Sequence, residues 1–251
     1  MRGTDVQYNQ QLGLLGAIYT IEGNNATPRN ETKQAQELTF INNHINRVFY
    51  PETSKKAGYF RYATFTTSYG SEYKITRSGE LYKKGDDGYY KLLKTSTKKQ
   101  DARTWVYRAA AFSKIKDNKQ EMTFVEFHLL MLTCAYSNFL DLYLASKNIC
   151  VNHTKILRKD AELRDHSYDA LHHLEVLTSA ENHWHGVLCK RFGLYDIHIE
   201  YEDLLKLAPS LTVISKLTGE ERKEAIKKNK DLVKSYTIIS VYQQRKEIWV
   251  D

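Results

Sequence analysis

The stretch that decides the fold reads Ile149-Cys-Val-Asn-His153 and, after a polar segment, His173-Leu-Glu-Val-Leu-Thr-Ser-Ala-Glu-Asn182. The first piece is apolar up to its final Asn-His pair, which predicts a short strand. In the second piece, a strand-like run over 174–177 leads into Thr178 and, three residues later, Glu181. That spacing is typical of a capping box at the start of a helix. We therefore predict a strand, a second strand and a helix that starts at Thr178.

Three polar side chains of this unit have the chemistry of a phosphodiesterase. We expect Asn152 and His153, at the end of the first strand, to converge with Asn182 on the first turn of the helix. A neutral imidazole near pH 7 can deprotonate water, and a hard cation can stabilise charge on phosphate and leaving oxygen. Amide oxygens of the two asparagines, with phosphates and waters, suffice to bind Mg²⁺. The trio predicts metal-dependent hydrolysis of a phosphodiester.

Upstream of this unit, the sequence predicts a helix, a strand and then a hairpin-rich segment. Apolar residues have helical spacing over 38–50, with Thr27, Asn30 and Thr32 as candidate caps, and 58–67 is typical of a strand. The turn Arg77-Ser-Gly79 favours a hairpin of 72–76 with 80–83. Further predictions are strands over 89–93, 104–112 and 122–127, a polar loop over 95–103 and a buried helix over 128–136.

Downstream, the sequence predicts a short helix over 200–207 that ends at Pro209. Thr218-Gly-Glu-Glu221 offers a second capping box, for a basic helix over 220–235. Residues 236–242 are strand-like. The basic helix is either a solvated charged face with i,i+4 pairs or a second anchor for DNA.

The composition favours a soluble, intracellular protein with a polyanionic partner. The chain has 251 residues, 41% of them apolar, and a net charge of +7. A basic surplus suits nucleic acid. The three cysteines have no CxxC spacing, which argues against a zinc knuckle and fits a reducing, cytoplasmic compartment. No signal peptide or membrane-spanning segment is expected. The 18 tyrosines can stack on bases or bind phosphates, although half-buried wall positions are the more ordinary role.

Five pieces occur in the order found in the HNH homing endonucleases of phages and group I introns, and together they resemble that family. They span roughly residues 70 to 190. The pieces are Tyr73-Lys-Ile-Thr-Arg-Ser-Gly-Glu-Leu-Tyr82, Asp87-Gly-Tyr-Tyr-Lys-Leu92, Thr123-Phe-Val-Glu-Phe-His-Leu-Leu-Met-Leu-Thr-Cys-Ala-Tyr136, Val151-Asn-His153 and Leu174-Glu-Val-Leu-Thr-Ser-Ala-Glu-Asn182.

The resemblance implies a role for four residues. The general base of the family falls on His153, and the metal ligands fall on Asn152 and Asn182. The middle Asn of the family name, which braces the loop, falls on His173. We predict cleavage of double-stranded DNA with Mg²⁺ or Mn²⁺, leaving 5′-phosphate and 3′-hydroxyl ends.

Three features depart from the family pattern. Thr154-Lys-Ile156 replaces the D-G-N that follows the catalytic histidine, the connection between the strands is longer, and His173 replaces an asparagine. Both proposed ligands are neutral amides, so cation binding would depend partly on DNA phosphates. These departures leave two alternatives open: an inactive DNA-binding protein of HNH fold, or a structural subunit of a phage or ribonucleoprotein assembly.

Basic residues that flank the proposed site are candidate phosphate contacts. They are Lys155, Arg158, Lys159, Lys190 and Arg191. Other histidines are interpreted as structural: His128 as a buried core histidine without chemistry, and His172, His183 and His185 as a polar helix face rather than further metal ligands.

The expected architecture is α+β. A ββα-metal (HNH) nuclease core over 146–192 follows an N-terminal extension over 1–67 and a hairpin-rich module with a buried helix over 68–145. A basic helical segment over 193–251 completes the chain.

Overall fold

The computed structural model of the chain describes residues 28–93, 96–99, 106–116, 119–157, 166–214, 220, 221, 224 and 227. It is an α+β protein, as expected. In chain order its elements are α1 (Lys33–Asn42), β1 (Ile45–Phe49), β2 (Phe60–Thr66), β3 (Glu72–Thr76), β4 (Leu81–Lys84), β5 (Tyr90–Leu92), β6 (Ser96–Lys99), β7 (Val106–Lys116), β8 (Lys119–Glu126), α2 (Phe127–Ala135), α3 (Phe139–Ala145), β9 (Ile149–His153), two 3₁₀ turns (His166–Asp169 and Leu171–His173), β10 (Leu174–Thr178), α4 (Ser179–Arg191) and α5 (Tyr201–Ile214).

A five-stranded antiparallel sheet in the order β1-β2-β3-β4-β5 covers one side of the main core. Period-two alternation turns Ala63, Phe65, Tyr73 and Ile75 inward, where they are 2% exposed or less. The sheet contains strands from both sides of the boundary expected at 67/68, so these two segments share one sheet.

The helix α2 lies in the middle of the main core. Every one of its nine residues is buried, the polar His128 and Thr133 included, and a helix that is buried on every side lies inside a protein. It packs between the five-stranded sheet, the three-stranded sheet β6-β7-β8 and the helices α1 and α3. This arrangement confirms the buried helix expected from the sequence.

The strands β9 and β10 and the helix α4 follow one another as the capping pattern predicts. The two strands pair antiparallel, with His153 opposite Leu174 and Ile149 opposite Thr178. The Thr178 side chain accepts a hydrogen bond from the Glu181 backbone N–H, and the Glu181 carboxylate accepts from the Thr178 N–H at 2.9 Å. A second, smaller core of Ile156, Cys189, Ile197, Leu204 and their neighbours lies against α4 and α5.

Three element predictions are wrong or incomplete. Helical spacing over 38–50 breaks at Asn42, because residues 45–49 pair with β2 and tertiary strand pairing overrides the local period. Residues 96–99, expected in a loop, pair with β7 as β6. The helix α5 continues through Pro209 to Ile214, although a proline inside a helix removes one hydrogen bond and clashes with the carbonyl four residues earlier.

Other predictions lie partly or wholly outside the described residues. Four positions of the basic helix expected over 220–235 are described as helical, namely 220, 221, 224 and 227. The strand expected over 236–242 lies outside the described residues.

Candidate active site

His153 lies at the end of β9, on the face of the hairpin that packs against the main core. Residues of a strand alternate between faces, and Val151, Leu174 and Val176 on the same face contact that core. His153 is 9% exposed, and its ring stacks on Tyr168 with 4.2 Å between centroids. The ring of His128, from α2, meets it edge-on at 5.3 Å.

A buried carboxylate holds the His153 ring. The Nε2 atom of His153 lies 2.8 Å from Asp169 Oδ1, and the other oxygen of Asp169 accepts from Arg108 Nη1 at 3.0 Å. Arg108 also donates to the carbonyl of Gly79, in the turn between β3 and β4. Three segments distant in sequence thereby form one chain of charge-assisted hydrogen bonds, Arg108–Asp169–His153.

The charge states in this chain follow from burial and pairing. Burial lowers the pKa of His153 below 6.5, against the opposing effect of Asp169, so its imidazole is neutral at pH 7. Burial raises the pKa of Asp169, but the hydrogen bond from His153 and the positive charge of Arg108 outweigh it and lower that pKa, so Asp169 stays ionised. An ionised carboxylate can only accept, so Nε2 carries the imidazole proton and Nδ1 keeps its lone pair. Nδ1 of His153 is therefore the basic nitrogen.

The same residues form one group that could hold a metal ion. The ligand atoms of His128, His153 and Asp169 lie within 4.8 Å of one another, and it is the only such His/Cys/Asp/Glu group found among the described residues. An ion there would compete with the His153–Asp169 hydrogen bond and would add positive charge beside the Arg108 guanidinium. His128, expected to be a buried histidine without chemistry, is buried but belongs to this group.

Asn152 faces the other side of the hairpin, toward α4 and α5. Its amide N–H donates to Glu175 Oε1 at 2.6 Å, and the Glu175 carboxylate also accepts from the backbone N–H of Tyr201, the first residue of α5. Burial raises the pKa of Glu175 to about 7. Glu175 therefore places a carboxyl group beside the proposed ligand Asn152, and the sequence analysis did not single it out.

Asn182 lies in the first turn of α4, half-buried, one turn before the buried His185 and two before the buried Cys189. This spacing places Asn182 on the stripe of α4 that faces the hairpin. No hydrogen bond joins it to Asn152 or His153 among the described residues. The two asparagines share the helix side of the hairpin, whereas His153 points to the main core, so the three side chains expected to converge lie on two faces.

His173 contributes its backbone and a ring stack rather than a contact with a reacting group. Its carbonyl accepts from the Thr154 backbone N–H at 3.0 Å, and its ring stacks on His198 at 3.6 Å. That position fits the bracing role that the resemblance implies for His173. His185, expected on a polar helix face, is fully buried, and its Nε2–H donates to the Ile199 carbonyl at 2.9 Å, while His183 is exposed.

Three of the five expected phosphate contacts can be placed. Lys190 and Arg191 are exposed at the end of α4, and Lys155 is half-buried just after β9. Arg158 and Lys159 lie outside the described residues. The three placed cations therefore flank the hairpin near its helix.

Sequence reasoning missed Asp169 and Arg108 because neither has a local signal. Four acidic residues, Asp160, Glu162, Asp165 and Asp169, occur between the two strands, and no spacing distinguishes the last of them. Arg108 is 61 residues away from its partner. Only the packing of α2 and β7 under the hairpin brings both to His153.

Comparison with protein-family models, curated proteins and solved structures finds no match for this chain. Across the described residues, no helix combines the length and apolar character needed to cross a bilayer.

Proposed function

We propose that this chain is a metal-dependent DNA phosphodiesterase of HNH type, an endonuclease or nickase, whose general base is His153. The observation that supports it most is the His153–Asp169 pair at the end of the first strand of a strand–strand–helix unit. A histidine held by a carboxylate through one ring nitrogen is the usual arrangement of a general base, since the pairing fixes the tautomer and the ring orientation.

The proposed step uses a water molecule as nucleophile. Nδ1 of His153 takes one proton from the water while its oxygen attacks phosphorus, and Nε2–H keeps its hydrogen bond to Asp169. The bond from phosphorus to the 3′ oxygen breaks, and that oxygen takes a proton from solvent. The products are a 5′-phosphate and a 3′-hydroxyl.

The proposed cation ligands are Asn152 and Asn182, on the helix side of the hairpin. Because His153 lies on the other face, the proposal requires the phosphodiester to bind at the end of β9, where Asn152 and His153 are adjacent. The hydrogen bond to Glu175 engages the amide nitrogen of Asn152, so its oxygen stays available, and hard divalent ions prefer such oxygens. Mg²⁺ or Mn²⁺, when bound, stabilises charge on the leaving oxygen. Exposed Lys190 and Arg191 on the same helix are proposed to contact the phosphates of double-stranded DNA.

Nicking of supercoiled plasmid with Mg²⁺ or Mn²⁺ tests this function. We expect His153→Ala to lower the cleavage rate by at least about 100-fold, the usual contribution of a general base, with DNA binding retained. We expect Asp169→Asn to lower the rate as well, and the exposed His183→Ala to cleave like the wild type. Undiminished cleavage by His153→Ala would refute the assignment.

Metal binding distinguishes the two possible ligand sets. If the cation lies on the amides, Asn182→Ala weakens Mn²⁺ binding in the presence of DNA, and His128→Gln does not. If the cation lies on His128, His153 and Asp169, the result reverses, and His153 cannot be the free base. Isothermal titration of each variant with Mn²⁺ measures both outcomes.

A second candidate is a DNA-binding protein without turnover. The closed Arg108–Asp169–His153 chain favours it, because all three side chains are buried and a network of this kind can exist for structure alone. A gel shift that depends on Lys190 and Arg191, with no nicking under any divalent metal tried, would select this candidate.

A further inference from the structure

The solvent face of the five-stranded sheet carries an unusual row of aromatic rings. The outward positions of β2, β4 and β5 include Tyr62, Tyr82 and Tyr90, all half-buried, and Leu92 is 62% exposed. In the register of the sheet, Thr64, Lys74, Tyr82 and Leu92 lie side by side across four strands. The opposite face of the same sheet supplies the main core.

Two cations lie among these rings. The Lys74 ammonium is 4.6 Å from the centroid of Tyr82 and 4.8 Å from that of Tyr90. The Arg61 guanidinium is 5.7 Å from the rings of Tyr50 and Tyr62. Neither cation has a carboxylate partner within the part of the chain that the structure describes. Both charges can therefore pair with phosphate without breaking an ion pair.

A hydrogen bond fixes one of the rings in place. The Tyr90 hydroxyl donates to Glu72, and Glu72 is also paired with Lys84 at 2.9 Å. The Glu80 carboxylate, just before the strand that carries Tyr82, accepts from the hydroxyls of Thr76 and Ser78. The two acidic groups near the rings are thus engaged by other side chains, and the orientation of the Tyr90 ring does not have to be created on binding.

We propose that this face, defined by Tyr62, Lys74, Tyr82 and Tyr90, binds single-stranded DNA by stacking bases on the tyrosines while Lys74 and Arg61 contact phosphates. Open antiparallel sheets with aromatic rings on one face stack two or three bases in this way, and stacking tolerates any base because each has a π-face. The proposal does not depend on hydrolysis at His153. Its ordinary alternative is that the rings only stabilise the sheet through cross-strand pairs.

Fluorescence anisotropy with a labelled 12-nucleotide oligo-dT, with EDTA present and the full chain, tests the proposal. We expect the single strand to bind more tightly than a 12-base-pair duplex. Tyr82→Leu should weaken binding by at least about fivefold, the effect of losing one stacked base, whereas Tyr82→Phe keeps the ring and should bind like the wild type.

A charge-matched pair of variants guards against misfolding of the tyrosine variant. Lys74→Gln should reduce the slope of log K against log salt by about 0.7, since one phosphate contact is lost. Lys33→Gln, an exposed lysine on α1 at the other side of the sheet, should leave the slope unchanged. Absence of oligo-dT binding at low salt, or unchanged binding by both Tyr82→Leu and Lys74→Gln, would overturn the proposal even if plasmid nicking is observed.

Discussion

His153 shows how one buried side chain acquires its chemical role from its neighbours. Burial alone lowers the pKa of His153, while the Asp169 carboxylate works in the opposite direction and orients the ring. As a result, the imidazole is neutral at pH 7, and its basic nitrogen is Nδ1. A histidine at the protein surface would have neither a pKa lowered by burial nor a ring held in one orientation.

The lowered pKa of His153 predicts the acid side of the pH–rate profile. Cleavage requires the neutral imidazole, so the rate should stay high as the pH falls through 6.5, the ordinary histidine value, and decrease only as the pH drops through the lowered pKa. Asp169→Asn removes a hydrogen bond that favours the charged imidazole, so the fall should move to still lower pH. Rates of plasmid nicking under single-turnover conditions, from about pH 4.5 to 8, measure the pH at which the rate falls in the wild type and in Asp169→Asn.

A profile with its acid limb at or above 6.5, the ordinary histidine value, would contradict this prediction. The stability of the protein must be followed over the same range. A histidine whose folded pKa is lowered contributes stability that is present above 6.5 and is lost as the pH falls through the folded pKa. A circular dichroism signal that is constant across the range separates catalysis from unfolding.

At the level of elements, the capping box joins the hairpin to α4. The residue that ends β10, Thr178, is also the N-cap of the helix, so strand register and helix start are fixed by one side chain. The helix is short and polar, and its fully buried side chains are those of His185 and Cys189. Its position therefore depends strongly on this cap.

Thr178→Ala is expected to destabilise the protein by about 1 kcal/mol, the usual cost of losing an N-cap side chain. Thr39→Ala, an exposed position inside α1, is the matched control and should leave stability unchanged or raise it slightly, because alanine is the better helix former. Urea unfolding followed by circular dichroism measures both. Equal stabilities of the two variants would show that the cap does not hold α4.

At the scale of the whole molecule, the Arg108 side chain links elements that are far apart in the sequence. It extends from β7, bonds the turn between β3 and β4, and holds Asp169 in the connection between β9 and β10. Its guanidinium also lies 4.0 Å from the centroid of Phe127, in the main core. The hairpin with His153 is thereby attached to both sheets.

Arg108→Leu should lower the free energy of unfolding by about 3–5 kcal/mol, since it leaves the buried Asp169 carboxylate without its cation. Adding Asp169→Asn to that variant should restore part of the loss, because the uncompensated charge is gone. Arg191→Leu, at an exposed position, should be close to neutral. Chemical denaturation at pH 7 with a common m-value compares the four proteins, and a small effect of Arg108→Leu alone would show that the network adds little stability.

Local chemistry made much of the fold predictable. The capping box located the start of α4, the Arg77-Ser-Gly79 turn located the β3–β4 hairpin, and the apolar run before Tyr136 located α2. The helical spacing of apolar residues over 38–50 predicts a helix for residues 45–49 as well. Their pairing with β2, which no local pattern contains, makes them a strand.

Local signals, each only a few residues long, are enough to predict that a strand with Asn152 and His153 precedes a second strand and a capped helix. The packing of the folded chain sets which side of the hairpin each side chain faces and which partners it meets. His153 meets Asp169, Arg108 and His128, and Asn152 meets Glu175. The physical reason is that these partners come from four separate elements, and burial against the main core brings them within hydrogen-bonding or ring-contact distance of the hairpin.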